Sequence, residues 1–303
     1  MVAIASAGGR CGARAQYTVA MILSTASATL APSGGLLPVV AACLLYLAAA
    51  LPVTWLQRSS AVALVGAWLL HAVLLVIDIG GFGAILPGGP SARLGFAPVL
   101  SMTVWLVIAV YTVESRLVPL PGVRHWLATA GLVAVLVCAA FPGDLKPITS
   151  PLSPLHFALG VGAYALFGAA VLHALMLDAA ERRLRAGGAA AMAMPAHDGR
   201  TLGLPLLQLE RLTFRFVEVG FVVLSAALVL GVATTVHWRW GDHKAVFSVL
   251  AWAVFAALLA GRRMRGWRGR RATRWLYAGT ALLLLAYVGS RFVFEVLLGR
   301  APA

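Results

Sequence analysis

"LTFRFVEVGFVVLSAALVLGVATTV", residues 212 to 236, carries Arg215 and Glu218 near its start and no charge after that. Coiled as an α-helix it is roughly 37 Å long, enough to cross a hydrocarbon layer of ~30 Å. Backbone groups in lipid must find their hydrogen bonds within the segment, and the stretch lacks the polar–apolar alternation of a barrel strand, so it reads as a transmembrane helix. Seven further runs of this kind lie at 36 to 57, 60 to 80, 96 to 115, 126 to 141, 155 to 178, 244 to 261 and 274 to 298, the fourth of the eight being short. The composition agrees, with 61% of the 303 residues hydrophobic, only 11% charged, and a mean hydropathy of +0.91. The expected fold is all-α, a polytopic bundle of about eight transmembrane helices.

Arginine and lysine in the short connections set the orientation. One set of loops holds fifteen of them, including Arg116, Arg124, Arg182, Arg183 and the run "GRRMRGWRGRRATR" at 261 to 274; the other set holds seven, among them Arg93, Lys146, Arg239 and Lys244. The richer side is expected to be cytoplasmic, with both termini outside. The net charge of +14 then belongs to helix ends, where it fixes topology and meets anionic lipid, and it does not indicate nucleic-acid binding. Cys11, Cys43 and Cys138 are scattered and form no C-x-x-C or haem-attachment motif.

Two stretches fit the bundle poorly. Residues 1 to 35 form an N-terminal extension in which "YTVAMILSTASATLA" weakly resembles a signal-peptide core, and a true start at Met21 explains it equally well. "RAGGAAAMAMPAHDGRTLGLP", residues 185 to 205, has the composition of a flexible cytoplasmic linker. The expected division is helices one to five over 36 to 178, a linker over 179 to 211, and helices six to eight over 212 to 303.

Ionisable residues at membrane depth are costly and are functional candidates for that reason. Arg291 and Glu295 are four apart and Arg215 and Glu218 three apart, spacings that allow pairing on one helix face. Asp78 and Glu114 lie near helix ends. The histidines are harder to assign to structure alone. His156 opens the fifth helix and His243 the seventh, both on the outer side, while His71 and His173 lie deeper; His125 and His197 fall in inner loops. Imidazole can bind haem iron through one nitrogen while the other donates to a carbonyl or carboxylate. His156 and His173 are roughly 25 Å apart along one helix and cannot share an iron. The expected pairs are therefore His156 with His243, or with His237 as second choice, and His71 with His173 as a deeper second site.

Directly after the quoted helix comes "HWRWGDHKAVFSVLAW", residues 237 to 252. Trp238 and Trp240 taken alone suit an interfacial aromatic belt; the sharper reading is a platform for a flat apolar macrocycle whose carboxylates meet Arg239, Lys244 or Arg93. Four segments resemble, in order, motifs of the cytochrome c assembly family. They are "PLSPLHFALGVGAYALF" with His156, "LERLTFRFVEVGF" with Glu210, Arg215, Gly220 and Phe221, "WRWGDHKAVFSVLAW" with Trp238, Trp240, Asp242, Lys244, Ser248 and Trp252, and "GWRGRRATRWLYAGTALLLLAYVGSRF". Residues 152 to 298 are thus similar to the haem-handling CcsA group, most of all to its small eight-helix HemX- and YpjD-like branch. His243 stands where that family has proline.

The resemblance implies a bacterial inner-membrane protein that binds b-type, non-covalent haem and assists cytochrome c assembly or haem trafficking and its control. It implies partners among the other cytochrome c assembly proteins. His156 and His243 are the expected iron ligands, with Trp238, Trp240, Arg239 and Lys244 around the ring. No paired carboxylates, phosphate loop or nucleophile beside a base stands out, so positioning rather than catalysis is expected. The competing reading is a small-solute transporter or a membrane scaffold without haem.

Overall fold

The computed structural model describes residues 36–51, 59–77, 91–117, 123–147, 152–190, 206–234 and 243–297. Eight helices follow one another: α1 (Leu36–Ala50), α2 (Ser60–Leu75), α3 (Phe96–Leu117), α4 (Val123–Ala140), α5 (Ser153–Ala190), α6 (Leu206–Thr234), α7 (His243–Arg265) and α8, which starts as Gly269–Leu284. α8 then runs through π-helical turns at Leu285–Gly289 and Val293–Leu297 with a short α segment, Ser290–Phe292, between them. Six of the eight are long and apolar enough to cross a membrane, while Leu36–Ala50 and Ser60–Leu75 are shorter apolar helices. The chain is a polytopic helical membrane protein.

The helices gather into two cores of four. α1 to α4 enclose Tyr46, Leu64, Ala67, Ile108, Leu127 and Ala128. α5 to α8 enclose Phe167, Val217, Phe255, Leu258 and Leu276. Lipid offers no hydrophobic drive between apolar helices, so close packing against small residues has to hold them. In the second core the stacked rings of Phe167 and Phe255, 3.8 Å between centroids, are flanked by Gly220 and Gly279. A Cβ at Gly220 would lie 3.2 Å from Phe167, and one at Gly279 2.7 Å from Phe255. In the first core Gly131 plays the same part, since its Cβ would lie 2.5 Å from the ring of Tyr46. The face of α5 that carries Leu172 and Met176 packs on the first core, so α5 joins the two halves.

Two expectations are corrected, the extent of the linker and the partner of Glu218, and the helical bundle carries one further element. A small antiparallel ribbon accompanies the helices: β1 (Ser91–Leu94) pairs with β2 (Asp144–Pro147) in the register Ser91↔Pro147 to Leu94↔Asp144. It links the α2–α3 connection to the α4–α5 connection, and the end of the bundle it closes is called the ribbon end here. The opposite, basic end carries Arg262, Arg263 and Arg265 in the last turn of α7, where cations suit the helix dipole. The expected linker at 179–211 is helical at both ends, because α5 continues to Ala190 and α6 begins at Leu206, and residues 191–205 lie outside the described residues; the alanines and arginines after 178 are good helix formers that carry α5 past its apolar part. Glu218 pairs with Arg263 of α7 at 3.7 Å instead of with Arg215. The other expected pair is present, with Arg291 Nη1 3.4 Å from Glu295 Oε1.

Candidate functional site

At the ribbon end, His156 lies in the first turn of α5 against the last turns of α6. Its Nδ1 is 3.0 Å from the carbonyl oxygen of Ala227. A carbonyl only accepts, so Nδ1 carries the proton and Nε2 keeps its lone pair. Gly231 makes room for the ring, since a Cβ there would lie 2.9 Å from His156 Cε1. The residue is exposed. Fixing one imidazole nitrogen with a backbone acceptor and leaving the other open is the arrangement that orients histidine ligands.

His243, the first residue of α7, is also exposed and lies parallel to the ring of Phe294 at 5.8 Å, 15° between planes. His156 thus rests on α6 and His243 on the end of α8, and the two rings make no direct contact. Lys244 is half-buried and already engaged by its surroundings. His237, Trp238, Arg239, Trp240 and Asp242 lie outside the described residues, as do Asp78 and His197.

The segment after the ribbon meets α8 at Glu295, next to the Phe294 on which His243 lies. The backbone N–H of Phe96 donates to Glu295 Oε2 at 3.4 Å, and Glu295 Oε1 faces Arg291, whose side chain is buried although its Nε has no partner. Gly95 and Gly143 touch here: a Cβ on Gly95 would lie 2.9 Å from the Gly143 Cα. The carboxylate therefore ties the end of α8 to the start of α3.

The deeper histidines are not brought together, which removes the expected second iron site. His71 is satisfied on both nitrogens, by the Tyr46 hydroxyl of α1 at 2.9 Å and by Ser101 Oγ of α3 at 2.7 Å. His173 Nδ1 bonds the Ala169 carbonyl at 2.7 Å, and its ring stacks on Phe216 at 5.3 Å. Its Nε2 is 3.1 Å from Glu114 Oε2, without the alignment of a hydrogen bond. Ser101 and Glu114 both belong to α3 and are separated by roughly 20 Å along its axis. Their histidine partners cannot hold one iron between them.

Other groups escaped the sequence reading because their partners are far away in the chain. Asp178 of α5 accepts from the Tyr277 hydroxyl at 2.9 Å and from Thr273 Oγ1 at 3.3 Å. Trp68 and Trp105 donate each indole N–H to the other's carbonyl, both at 3.0 Å, and their rings stack at 5.0 Å. Ser101 stands beside His71 as a hydroxyl beside a base, yet both are 1% exposed, so no solute reaches them in this state. Of the resembling motifs, Glu210 holds Arg262 at 3.0 Å, Phe221 stacks on Trp252 at 5.5 Å, and the Trp252 indole donates to Ser225 Oγ at 2.9 Å. Those motif residues build the packing of α6 and α7. Among the described residues no three of His, Cys, Asp or Glu gather as a metal-ion site.

The family model described as "Cytochrome C assembly protein" matches residues 34–298. The chain is 29% identical over 254 residues to inner membrane protein YpjD of Escherichia coli strain K12, covering 80% of this chain and 88% of that one. It is 31% identical over 222 residues to an uncharacterized 28.8 kDa protein of Azospirillum brasilense, covering 70% and 77% respectively. A cytochrome c biogenesis protein CcsA of Prochlorococcus marinus strain MIT 9303 is 28% identical over 198 residues, 54% of this chain and 62% of that one. No solved structure matches. The match reaches back over the first four helices, beyond the 152–298 resemblance legible in the motifs. The chain belongs to the cytochrome c assembly protein family and is a multi-pass bacterial inner-membrane protein.

Proposed function

We propose that this member of the cytochrome c assembly protein family binds haem non-covalently at its ribbon end and serves cytochrome c biogenesis by presenting it there. The observation that carries the reading is His156, an exposed residue whose Nδ1 is committed to the Ala227 carbonyl, which leaves Nε2 as the nitrogen for an iron. His243 is the second ligand, and the two histidines come from different helices, so a ring between them would be reached from outside. Lys244 and Arg93 are the described cations that suit propionates, and Arg239 extends that set. Trp238 and Trp240 offer apolar faces to the macrocycle. The ribbon end is the periplasmic one in this reading, which the excess of arginine at the opposite end supports. The chain's residues hold and orient; haem supplies the redox-active iron. No bond-making step is assigned to the protein, and other cytochrome c assembly proteins are the recipients or donors.

The test is the absorption spectrum of detergent-purified protein, oxidised and reduced, for wild type, His156→Ala and His243→Ala. We expect a split low-spin haem spectrum in wild type. Loss of His156 should abolish it, and loss of His243 should convert it to a high-spin form or abolish it. A His156→Ala variant that keeps the wild-type spectrum overturns the site. A colourless wild type that takes up no added haem, but moves a solute in a pH-dependent way, transfers the argument to a transporter.

A further inference from the structure

At the basic end, a groove of about 220 Å³ opens between α7 and α8, lined by Val254, Arg274, Trp275 and Ala278. Its walls are apolar except for Arg274, which sits at the end nearest the α7–α8 loop. Ala278 is one helical turn further into the bundle, roughly 6 Å along the axis. A ligand that fits has a negative head and a hydrocarbon body directed into the membrane. We propose that this groove binds one anionic glycerophospholipid, with its phosphate on Arg274 and an acyl chain along Val254, Trp275 and Ala278.

Two further observations favour that occupant. The aromatic wall is built in advance. Trp267 seats over Gly261, where a Cβ would lie 2.4 Å from the indole, and leans on Trp275 at 5.4 Å. The Arg271 guanidinium covers Trp267 at 4.3 Å. A wall held in this way loses little freedom when a chain packs on it. Positive φ angles of 64° at Gly266 and 56° at Gly269 turn the loop so tightly that this stack can form.

The charge at this end is also unbalanced. Seven arginines lie between 262 and 274, and the acids near them are few. Glu210 holds Arg262, Glu218 meets Arg263, Asp178 takes the hydroxyls of Tyr277 and Thr273, and Glu181 lies beside Gly269. Arg265, Arg268, Arg270, Arg271 and Arg274 are exposed. Cations next to an apolar groove at a membrane edge attract acidic headgroups.

The experiment titrates the delipidated full chain in detergent with phosphatidylglycerol or with phosphatidylcholine of the same acyl chains, read by native mass spectrometry. We expect one phosphatidylglycerol to bind in preference to phosphatidylcholine, and Arg274→Gln to weaken it about fivefold. Ala278→Phe, which fills the groove, should remove both lipids. Arg263→Gln, whose side chain is outside the groove, should bind like wild type, and millimolar inorganic phosphate should not displace the lipid. The proposal fails if Arg274→Gln binds phosphatidylglycerol as wild type does, if Arg263→Gln loses as much, or if phosphate alone competes. If Ala278→Phe does not fold, the comparison of Arg274→Gln with Arg263→Gln decides. None of these readouts involves haem, so the lipid site and the haem site stand or fall separately.

Discussion

Tyr46 is completely buried and holds two helices at once: its hydroxyl reaches His71 of α2 at 2.9 Å and its ring packs against Gly131 of α4. The hydroxyl contact fixes the ring, so the ring cannot swing away from a side chain added at 131. Gly131→Ala would set a methyl 2.5 Å from Tyr46 Cε1, and overpacking of this kind costs about 1–3 kcal/mol. We expect a lower unfolding midpoint in detergent. The same substitution in a Tyr46→Leu background should cost distinctly less, because residues in contact are not additive; equal losses in the two backgrounds would mean that the ring contact is not the cause. Neither partner was legible in the sequence, where Tyr46 and His71 are 25 positions apart. The sequence does identify His71 as an unusual residue at membrane depth. It gives no way to tell a histidine satisfied by two hydroxyls from one that is open to a ligand. His156 was legible as a candidate because it opens a helix, whereas the Ala227 carbonyl and Gly231 that orient it come from another helix, 71 residues away for the hydrogen bond.

The helices were legible as elements because lipid imposes a single solution on a long apolar run. α4 is as short as its sequence suggests, and α5 exceeds its apolar run because propensity continues where hydrophobicity stops. The ribbon was not legible. "SARL" and "DLKP" are four residues each, too brief for their polar–apolar alternation to stand out, and they pair with two helices between them in the chain. What makes them a ribbon is tertiary: β1 feeds α3 directly, and the turn after α4 has to pass Gly95 at van der Waals distance. Gly143 adopts φ 75° there, a conformation β-branched residues avoid, and a Cβ would meet the Gly95 nitrogen at 3.0 Å. Gly143→Val should therefore open the ribbon while leaving the eight helices intact. Hydrogen exchange should accelerate at the β1 amides and at Phe96, whose N–H donates to Glu295, with helix amides in both cores unchanged. Unchanged protection at β1 would show that the ribbon tolerates a side chain at this crossing.

The whole molecule is two four-helix cores joined along α3 and α5, although the linker composition suggests five helices followed by three. The cut is set by packing: α5 contributes Phe167, Ala170 and Ala174 to the second core and gives the first only one flank. This geometry puts the ribbon, His156 and His243 at one end and the arginines of 262 to 274 at the other, so the sidedness of the membrane decides which compartment meets each site. The cytoplasmic side retains the excess of arginine and lysine, and fifteen of the chain's basic residues fall in the connections and helix ends of the arginine-rich end against seven at the other. An alkaline phosphatase fused after Ala303 should then be active, because it folds only in the oxidising periplasm, and one inserted between residues 191 and 205 should be silent. Replacing Arg265, Arg268, Arg270 and Arg271 by glutamine should shift some molecules to the inverted state and lower the activity of the C-terminal fusion. The opposite pattern in the wild type would place His156 in the cytoplasm. Haem held there would be on the side where it is made, so the protein would receive or store it rather than present it to apocytochromes, and the acidic lipid proposed for Arg274 would have to come from the outer leaflet.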